Sequence, residues 1–196
     1  MRPPGPDEDL VRRCRAGDTS AFGELVERHQ SRVYHLCLRI VGDPDEAYDA
    51  AQDALITAWR KLEQFRGESA FTTWLHRVTV NACYDQIRKR RRQPMLHLAP
   101  DDDRVHEPGP PIPDHADAVT TSADVVAALA HVPEDFRAAL VLADVEDLPY
   151  DEIAAILGVA VGTVKSRVHR GRVALARALG IDREPGGLSR PSEEKA

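Results

Sequence analysis

This chain of 196 residues has few cysteines and no long hydrophobic run. Both features limit the classes of protein to which it can belong. The three cysteines, Cys14, Cys37 and Cys83, are odd in number and far apart, so they suit a reducing compartment and have no metal-ligand spacing. No apolar run has the length that a membrane span needs, and the first residues lack an apolar signal segment. We therefore expect a soluble, cytoplasmic protein without membrane insertion.

An excess of basic residues is also missing, because the formal net charge is −6. Any binding to nucleic acid must then depend on local basic patches on an acidic background. The chain has no Gly-rich phosphate loop and no spacing typical of a catalytic triad. No catalytic residue, cofactor or metal site is expected. His97, His106 and His115 lie without cysteine partners in a polar, Pro-rich stretch, which does not favour a metal site either.

The pattern of apolar residues predicts an all-α protein of two small helical domains. Residues 93–121 contain six prolines together with the acidic run Asp101 to Asp103, a composition typical of a flexible, extended linker. The linker divides the chain into a domain over 1–92, a domain over 122–180 and a loose tail over 181–196. A linker of this composition allows the two domains to lie together or apart.

Four helices are expected before the linker. The first ends near Gly17, and Thr19 or Ser20 is the expected N-cap of the second. The third covers 45–62 with a stripe of small residues. The fourth follows a cap at Ser69 and ends in the basic run 88–92. Trp74 shares one face with apolar residues, so a core position is favoured over base stacking.

After the linker, residues 149–179 indicate a helix-turn-helix. Ile153, Ile156 and Leu157 have helical spacing, and Gly158 is suited to the turn. A second helix begins near Val161, and its opposite side is basic. This arrangement suits the DNA major groove, where side chains reach base edges and cations contact phosphates. The expected buried side of the second helix comprises Val164, Val168, Leu175 and Leu179.

Two sets of motifs resemble RNA polymerase sigma factors of the extracytoplasmic-function (ECF) type, the compact relatives of sigma-70. Residues 22–26, 49–59 and 65–75 with Asn81 are similar to region 2 of that family. Residues 132–137, 150–154 and 162–167 are similar to its region 4. The resemblance implies that 1–92 is region 2 and that 122–180 is region 4. The sequence departs from the family pattern at Ala160, where a serine that caps the recognition helix is usual.

By this resemblance, region 2 opens the −10 promoter element and captures a flipped base. Opening costs about 1.4 kcal/mol of stacking per step, and stacking one base on an aromatic ring returns about 1–3 kcal/mol. A few captured bases can therefore offset the opening of a few pairs without ATP. The implied −10 residues are Phe65, Ser69, Ala70, Phe71, Trp74, Arg77, Asn81, Arg88 and Lys89.

The resemblance also implies that region 4 reads the −35 element and that the third helix docks on the clamp helices of the largest polymerase subunit. A separate anti-sigma protein is the implied regulator. The acidic linker resembles a segment that threads near the polymerase active site. The implied −35 residues are Thr163, Lys165, Ser166, Arg167, His169, Arg170 and Arg172. The implied polymerase-binding residues are Asp49, Gln52, Asp53, Ile56 and Trp59.

Two other classes of protein compete with this interpretation. A stand-alone helix-turn-helix regulator of the response-regulator kind would need a receiver domain of alternating strands and helices, whereas residues 1–92 have only helical spacing. A helical nuclease or hydrolase could use the acidic residues at 45–53, but these come without a histidine or a nucleophile. A solvated helix face explains them better.

Overall fold

The computed structural model describes residues 6–92 and 123–181, which we call the N-terminal and C-terminal domains. The N-terminal domain contains α1 (Pro6–Arg15), α2 (Thr19–Val41), α3 (Pro44–Lys61), a 3-10 turn (Leu62–Gln64) and α4 (Phe71–Arg92). The C-terminal domain contains α5 (Ala123–Ala130), α6 (Glu134–Asp144), α7 (Tyr150–Leu157) and α8 (Val161–Ala178).

The expectation of an all-α protein with two helical domains is confirmed, since neither domain contains a strand. None of the helices in the two domains has both the length and the apolar character needed to cross a bilayer. The expected linker, the three histidines in it, its acidic run and the tail beyond Ile181 lie outside the described residues.

Small side chains let the N-terminal helices pack closely. The alanines of α3 form the expected stripe, and Ala47, Ala50, Ala54 and Ala58 are all buried where α3 packs between α2 and α4. A methyl group allows two helix backbones to approach, and burial of large residues such as Leu36 and Ile87 fills the remaining space. One face of α3 is therefore fixed in the core and the other faces solvent.

Two helix starts differ from the expectation. Asp18, not Thr19 or Ser20, is the N-cap of α2, because its carboxylate accepts hydrogen bonds from the backbone N–H groups of Ser20 (3.1 Å) and Ala21 (3.4 Å). The expected cap at Ser69 is also wrong. The α4 helix begins at Phe71, and the Ser69 hydroxyl donates to the Ala70 carbonyl instead (3.3 Å).

The helix-turn-helix of the C-terminal domain matches the expected turn. Gly158 ends α7 with a φ of +66°, and α8 begins after Ala160 without a side-chain cap. Val164 and Val168 are buried as expected. The expectation that Leu179 is buried is wrong, since α8 ends at Ala178 and Leu179 is 39% exposed.

The two domains are docked on each other. The α5 and α6 helices contact α2, and α7 contacts α4. Arg137 of α6 is only 4% exposed and donates to the carbonyl oxygens of Ile40 (2.7 Å), at the end of α2, and of Ala130 (2.8 Å), at the end of α5. Of the two arrangements that the linker allows, the structure has the one in which the domains lie together.

Candidate nucleic-acid interface

The solvent side of α3 carries all five residues implied in polymerase binding. Residues three or four apart share one face of a helix, and these five, which are all exposed, follow that spacing: Asp49, Gln52, Asp53, Ile56 and Trp59. Ile56 is 46% exposed and Trp59 is 43% exposed, and the Trp59 ring packs against Phe22 with centroids 4.8 Å apart. An acidic and amide border thus surrounds an apolar centre, which is the usual anatomy of a protein-binding surface.

Three aromatic residues implied in −10 binding form one buried cluster. The ring of Phe65 lies 6.0 Å from that of Phe71 and 5.3 Å from that of Trp74, and the rings of Phe71 and Trp74 lie 5.7 Å apart. Phe65 precedes the loop 66–70, while Phe71 and Trp74 open α4, so the cluster anchors the loop on the helix. The expectation that Trp74 is a core residue is confirmed by its burial.

A cleft of about 340 Å³ lies beside this cluster. Its N-terminal-domain lining combines the buried Phe65 and Trp74 with the exposed Ser69 and Arg77. Apolar ring edges, a hydroxyl and a guanidinium therefore meet in one concave site. That combination suits an unstacked base next to its phosphate.

The other implied −10 residues lie outside this cleft lining. Ala70, Asn81, Arg88 and Lys89 are all exposed, and Arg88 forms an ion pair with Asp85. The basic end of α4 is only partly free, because Arg90 pairs with Glu46 and Arg91 pairs with Glu134 of α6. Part of the charge run therefore stabilises the fold.

The basic side of α8 divides into two groups. Lys165, Ser166, His169 and Arg170 are exposed, with the Arg170 guanidinium lying 5.7 Å from the centre of the Phe136 ring. The Ser166 hydroxyl donates to the carbonyl of the half-buried Thr163 (2.9 Å).

The second group is held by acidic residues of α6. Arg167 pairs with Asp135 at 3.4 Å. Arg172 donates to both carboxylate oxygens of Asp144, at 3.0 and 2.7 Å. The bonds from Asp144 raise the already high pKa of Arg172, so the guanidinium stays charged. α6 thus orients two of the cations that α8 presents.

Family comparisons agree with this architecture. The sigma-70 region 2 family matches residues 25–93, and the sigma-70 region 4 family matches residues 122–175. The RNA polymerase sigma-H factor of Pseudomonas aeruginosa is 40% identical over 180 residues, which cover 88% of this chain and 93% of that protein. This chain belongs to the ECF type of the sigma-70 family.

Two further relatives have the same family assignment. The sigma factor SigE of Mycolicibacterium smegmatis is 43% identical over 161 residues, which cover 80% of this chain but 62% of the longer SigE. The ECF sigma-E factor of Escherichia coli is 37% identical over 176 residues, which cover 86% of this chain and 92% of that protein. This sigma factor therefore directs promoter-specific initiation of transcription.

Two solved structures of similar fold contain a bound partner protein. RpoE of Bartonella quintana, solved with the anti-sigma factor NepR, is 30% identical, with a TM-score of 0.64 over 83% of this chain and 98% of that one. CnrH, solved with the cytosolic domain of CnrY, is 26% identical, with a TM-score of 0.65 over 90% of this chain and 99% of that one.

Sequence reasoning missed a charged cluster between the domains of this sigma factor. Glu146, in the turn after α6, is 9% exposed and accepts from Arg32 of α2 at 2.6 Å. His76 of α4 lies 3.5 Å from the same oxygen. Arg39 of α2 is buried nearby, and its charge interacts with that of Glu146. No local spacing marks these residues, because packing of α2 on α4 brings the basic residues together and docking of the domains adds Glu146.

Proposed function

We propose that this sigma factor recruits core RNA polymerase through the exposed side of α3. The observation that carries the proposal is the apolar pair Ile56 and Trp59, exposed inside an acidic and amide border. Both side chains are more than 40% exposed, although Trp59 packs against Phe22 of α2 and the alanines on the opposite face of α3 are buried. The occupant that the family resemblance implies is the pair of clamp helices of the largest polymerase subunit. Burial of such a centre supplies affinity, while the acidic border, with Asp49 and Asp53, favours a basic partner surface.

The −10 element is proposed to bind at the cleft beside the aromatic cluster, in region 2 (residues 1–92). Ser69 and Arg77 supply hydrogen bonds and charge, while Phe65 and Trp74 supply ring surface. Ala70, Phe71 and Asn81 would contribute the loop backbone, the cluster and an amide edge. Arg88 and Lys89, about two helical turns beyond Asn81, would contact the phosphates.

The −35 element is proposed to bind along α8, in region 4 (residues 122–180). Lys165, Ser166, His169 and Arg170 would face base edges, with Thr163 at the start of the helix. Arg167 and Arg172, each oriented by a carboxylate of α6, would contact phosphates. A bidentate contact between arginine and guanine contributes about 1–3 kcal/mol of discrimination.

An anti-sigma protein is the proposed regulator. The support is the fold shared with RpoE, which was solved with the anti-sigma factor NepR. CnrH, of similar fold, was also solved with a bound partner, the cytosolic domain of CnrY. Since the proposed partners of this sigma factor are core polymerase and chromosomal promoters, we propose that it acts in the cytoplasm.

Reconstituted transcription tests the proposal. Purified protein is mixed with sigma-free core polymerase and fragmented genomic DNA, and the 5′ ends of the transcripts are sequenced. Discrete 5′ ends that share an upstream two-part motif are expected. Folded protein that neither binds core nor initiates would contradict the proposal. Tight promoter binding without polymerase would favour the stand-alone regulator.

A pair of variants tests the polymerase surface. Ile56→Glu should weaken core binding at least about tenfold, because a charge in the centre of a desolvated contact is left unpaired. Val125→Glu is the matched control, since Val125 is a similarly exposed apolar residue of α5 that lies outside the proposed surface. Fluorescence anisotropy with labelled protein measures the affinity for core polymerase. An equal loss of affinity in both variants would contradict the role proposed for α3.

A further inference from the structure

Three arginines of α8 contact α6, and the chemistry of the contact divides them into two kinds. Two of them pair with a carboxylate, whereas one lies over an aromatic ring. The pairs are Arg167 with Asp135, Arg172 with Asp144 and Arg170 with Phe136. Within the part of the chain that the structure describes, no carboxylate pairs with Arg170. Its contact with α6 is the ring, whose centre lies 5.7 Å from the guanidinium carbon.

The two kinds of contact leave different hydrogen-bond donors available to DNA. Arg172 uses its Nε and one Nη to donate to the Asp144 carboxylate, at 3.0 and 2.7 Å. A ring face attracts the positive charge of a guanidinium, but it does not take up the five N–H donors as a carboxylate does. Arg170 is therefore restricted in position and still keeps its hydrogen-bonding edge free.

The ring itself is held in place where α6 packs on α8. Phe136 is half-buried, and its carbonyl oxygen lies 3.0 Å from the position that a Cβ atom on Gly171 would have. The next residue, Arg137, is buried and donates from Nε and Nη2 to the Val132 carbonyl at 3.1 and 2.9 Å. This turn of α6 is thus fixed both to its own domain and to α8. Since Gly171 directly follows Arg170, the ring and the guanidinium have a defined separation.

Arg170 lies on the side of α8 that is proposed to face base edges. It is exposed and comes four residues after Ser166, so the two residues share one helix face. A guanine presents two acceptors, O6 and N7, in the major groove, and the edge of a guanidinium donates to both. A flexible arginine loses rotamer freedom when it makes this contact. An arginine that a ring already restricts loses less, so it binds more strongly and with a better defined geometry.

We propose that Phe136 is a positioning residue for recognition of the −35 element. The ring of this α6 residue holds the Arg170 guanidinium in the orientation that donates to a guanine. The carboxylate-bound arginines of α8 contact phosphates instead. This inference rests on the −35 function proposed above for α8 and adds to it a residue of α6 that acts through Arg170.

Nuclear magnetic resonance of the free protein tests the contact without polymerase or DNA. Phe136→Leu keeps an apolar side chain but removes the ring face, whereas Phe136→Tyr keeps the face. The order parameter of the Arg170 Nε–Hε group should fall clearly in Phe136→Leu and stay unchanged in Phe136→Tyr. The same group of Arg172, which Asp144 holds, is the internal control and should not change in either variant. An unchanged order parameter of Arg170 in Phe136→Leu would overturn the proposal.

Base preference at a promoter tests the positioning role. A promoter obtained by reconstituted transcription is varied one base pair at a time across its −35 element, and transcripts made by core polymerase with each variant are counted. Phe136→Leu should lower the preference for guanine at one −35 position by about two- to fivefold, which is the effect of an exposed cation–π contact. Phe136→Tyr should retain that preference. The preferences at the other −35 positions and in the −10 element should not change.

Two further variants separate positioning from a structural role. Arg170→Ala should remove the preference at the same −35 position, and Phe136→Leu should have no additional effect on it in that background. Asp144→Asn is the contrasting variant. It should weaken binding to all −35 sequences alike, because its partner Arg172 is proposed to contact a phosphate. Circular dichroism checks that each variant is folded.

Three results would contradict different parts of this reasoning. An equal loss on all −35 sequences in Phe136→Leu would leave the ring only a structural role and overturn the proposal. An unchanged base preference in Arg170→Ala, in protein that initiates, would also overturn it but would leave the proposed polymerase and −10 surfaces intact. If the unsubstituted protein fails to initiate, the proposed function fails, while the order parameter still decides whether the ring holds Arg170.

Discussion

Gly171 sets how closely α8 can approach α6, and its replacement by alanine has a calculable effect. A Cβ atom at this position would lie 3.0 Å from the Phe136 carbonyl oxygen and 3.1 Å from the Leu140 Cβ. Both contacts are tighter than a Cβ normally makes, and neither partner is the end of a flexible side chain. The two helices must therefore move apart by a few tenths of an ångström, which shifts the recognition helix relative to the residues of α6 that orient its arginines.

The magnitude follows from two opposing terms. Alanine is about 1 kcal/mol more favourable than glycine inside a helix, whereas overpacking a tight contact costs about 1–3 kcal/mol. Gly171→Ala should thus lower the free energy of unfolding by about 0–2 kcal/mol. Gly23→Ala is the matched control, because a Cβ at that exposed position of α2 meets nothing within 4 Å.

Urea unfolding followed by circular dichroism measures both variants. Gly23→Ala should stabilise the protein by about 0.5–1 kcal/mol, so the difference between the two variants isolates the packing cost at the interface of α6 and α8. If Gly171→Ala stabilises the protein as much as Gly23→Ala, the argument for close packing is refuted. The same variant should also weaken binding to a −35 duplex in the presence of polymerase.

Two further predictions use titration. Hydrogen bonds from Ser20 and Arg13 lower the pKa of Asp18 from 3.8 to about 2, so its stabilisation is present above pH 3.8 and is lost as the pH falls through about 2. Asp18→Ala should therefore lower the urea midpoint clearly at neutral pH, and an unchanged difference at acid pH would contradict this. Burial and the charge of Asp135 raise the pKa of Tyr84 to about 12. Tyrosinate absorbance should show that Asp135→Ala, which removes that charge, lowers this pKa toward 10, whereas an identical titration would contradict the proximity of α6 to Tyr84.

The helices of this protein could be predicted from sequence because their signals are local. The alanine stripe of α3 and the apolar spacing of α7 and α8 lie within single segments, as does the turn at Gly158. Helix caps were harder, because aspartate, serine and threonine all accept the same backbone hydrogen bonds. Three such residues stand together at 18–20, and the additional bonds from Arg13 in α1 favour Asp18. That selection depends on tertiary structure.

The residues of the proposed functional surfaces also differ in whether local sequence signals could predict them. The five residues of the proposed polymerase surface lie on one helical face, so their common exposure could be predicted from spacing. Their role was implied by the family resemblance alone. The partners of Arg167 and Arg172 could not, since Asp135 and Asp144 lie on another helix. Glu146 and Arg32 are 114 residues apart in the chain, on opposite sides of a linker whose composition allows docking or separation. The choice between the two is made by buried charges that no spacing reveals.

The burial of the aromatic cluster affects the proposed promoter opening through a balance of energies. Exposing one buried ring costs about 1.5–3 kcal/mol, and a base stacked on that ring returns about 1–3 kcal/mol. The two terms nearly cancel. Exposure of a ring of the cluster is therefore offset only when an unpaired base is available to stack on it; the rings are those of Phe65, Phe71 and Trp74. On the proposed function, polymerase and duplex opening supply that base at the promoter. The burial of the rings therefore disfavours binding of single-stranded DNA by the sigma factor alone.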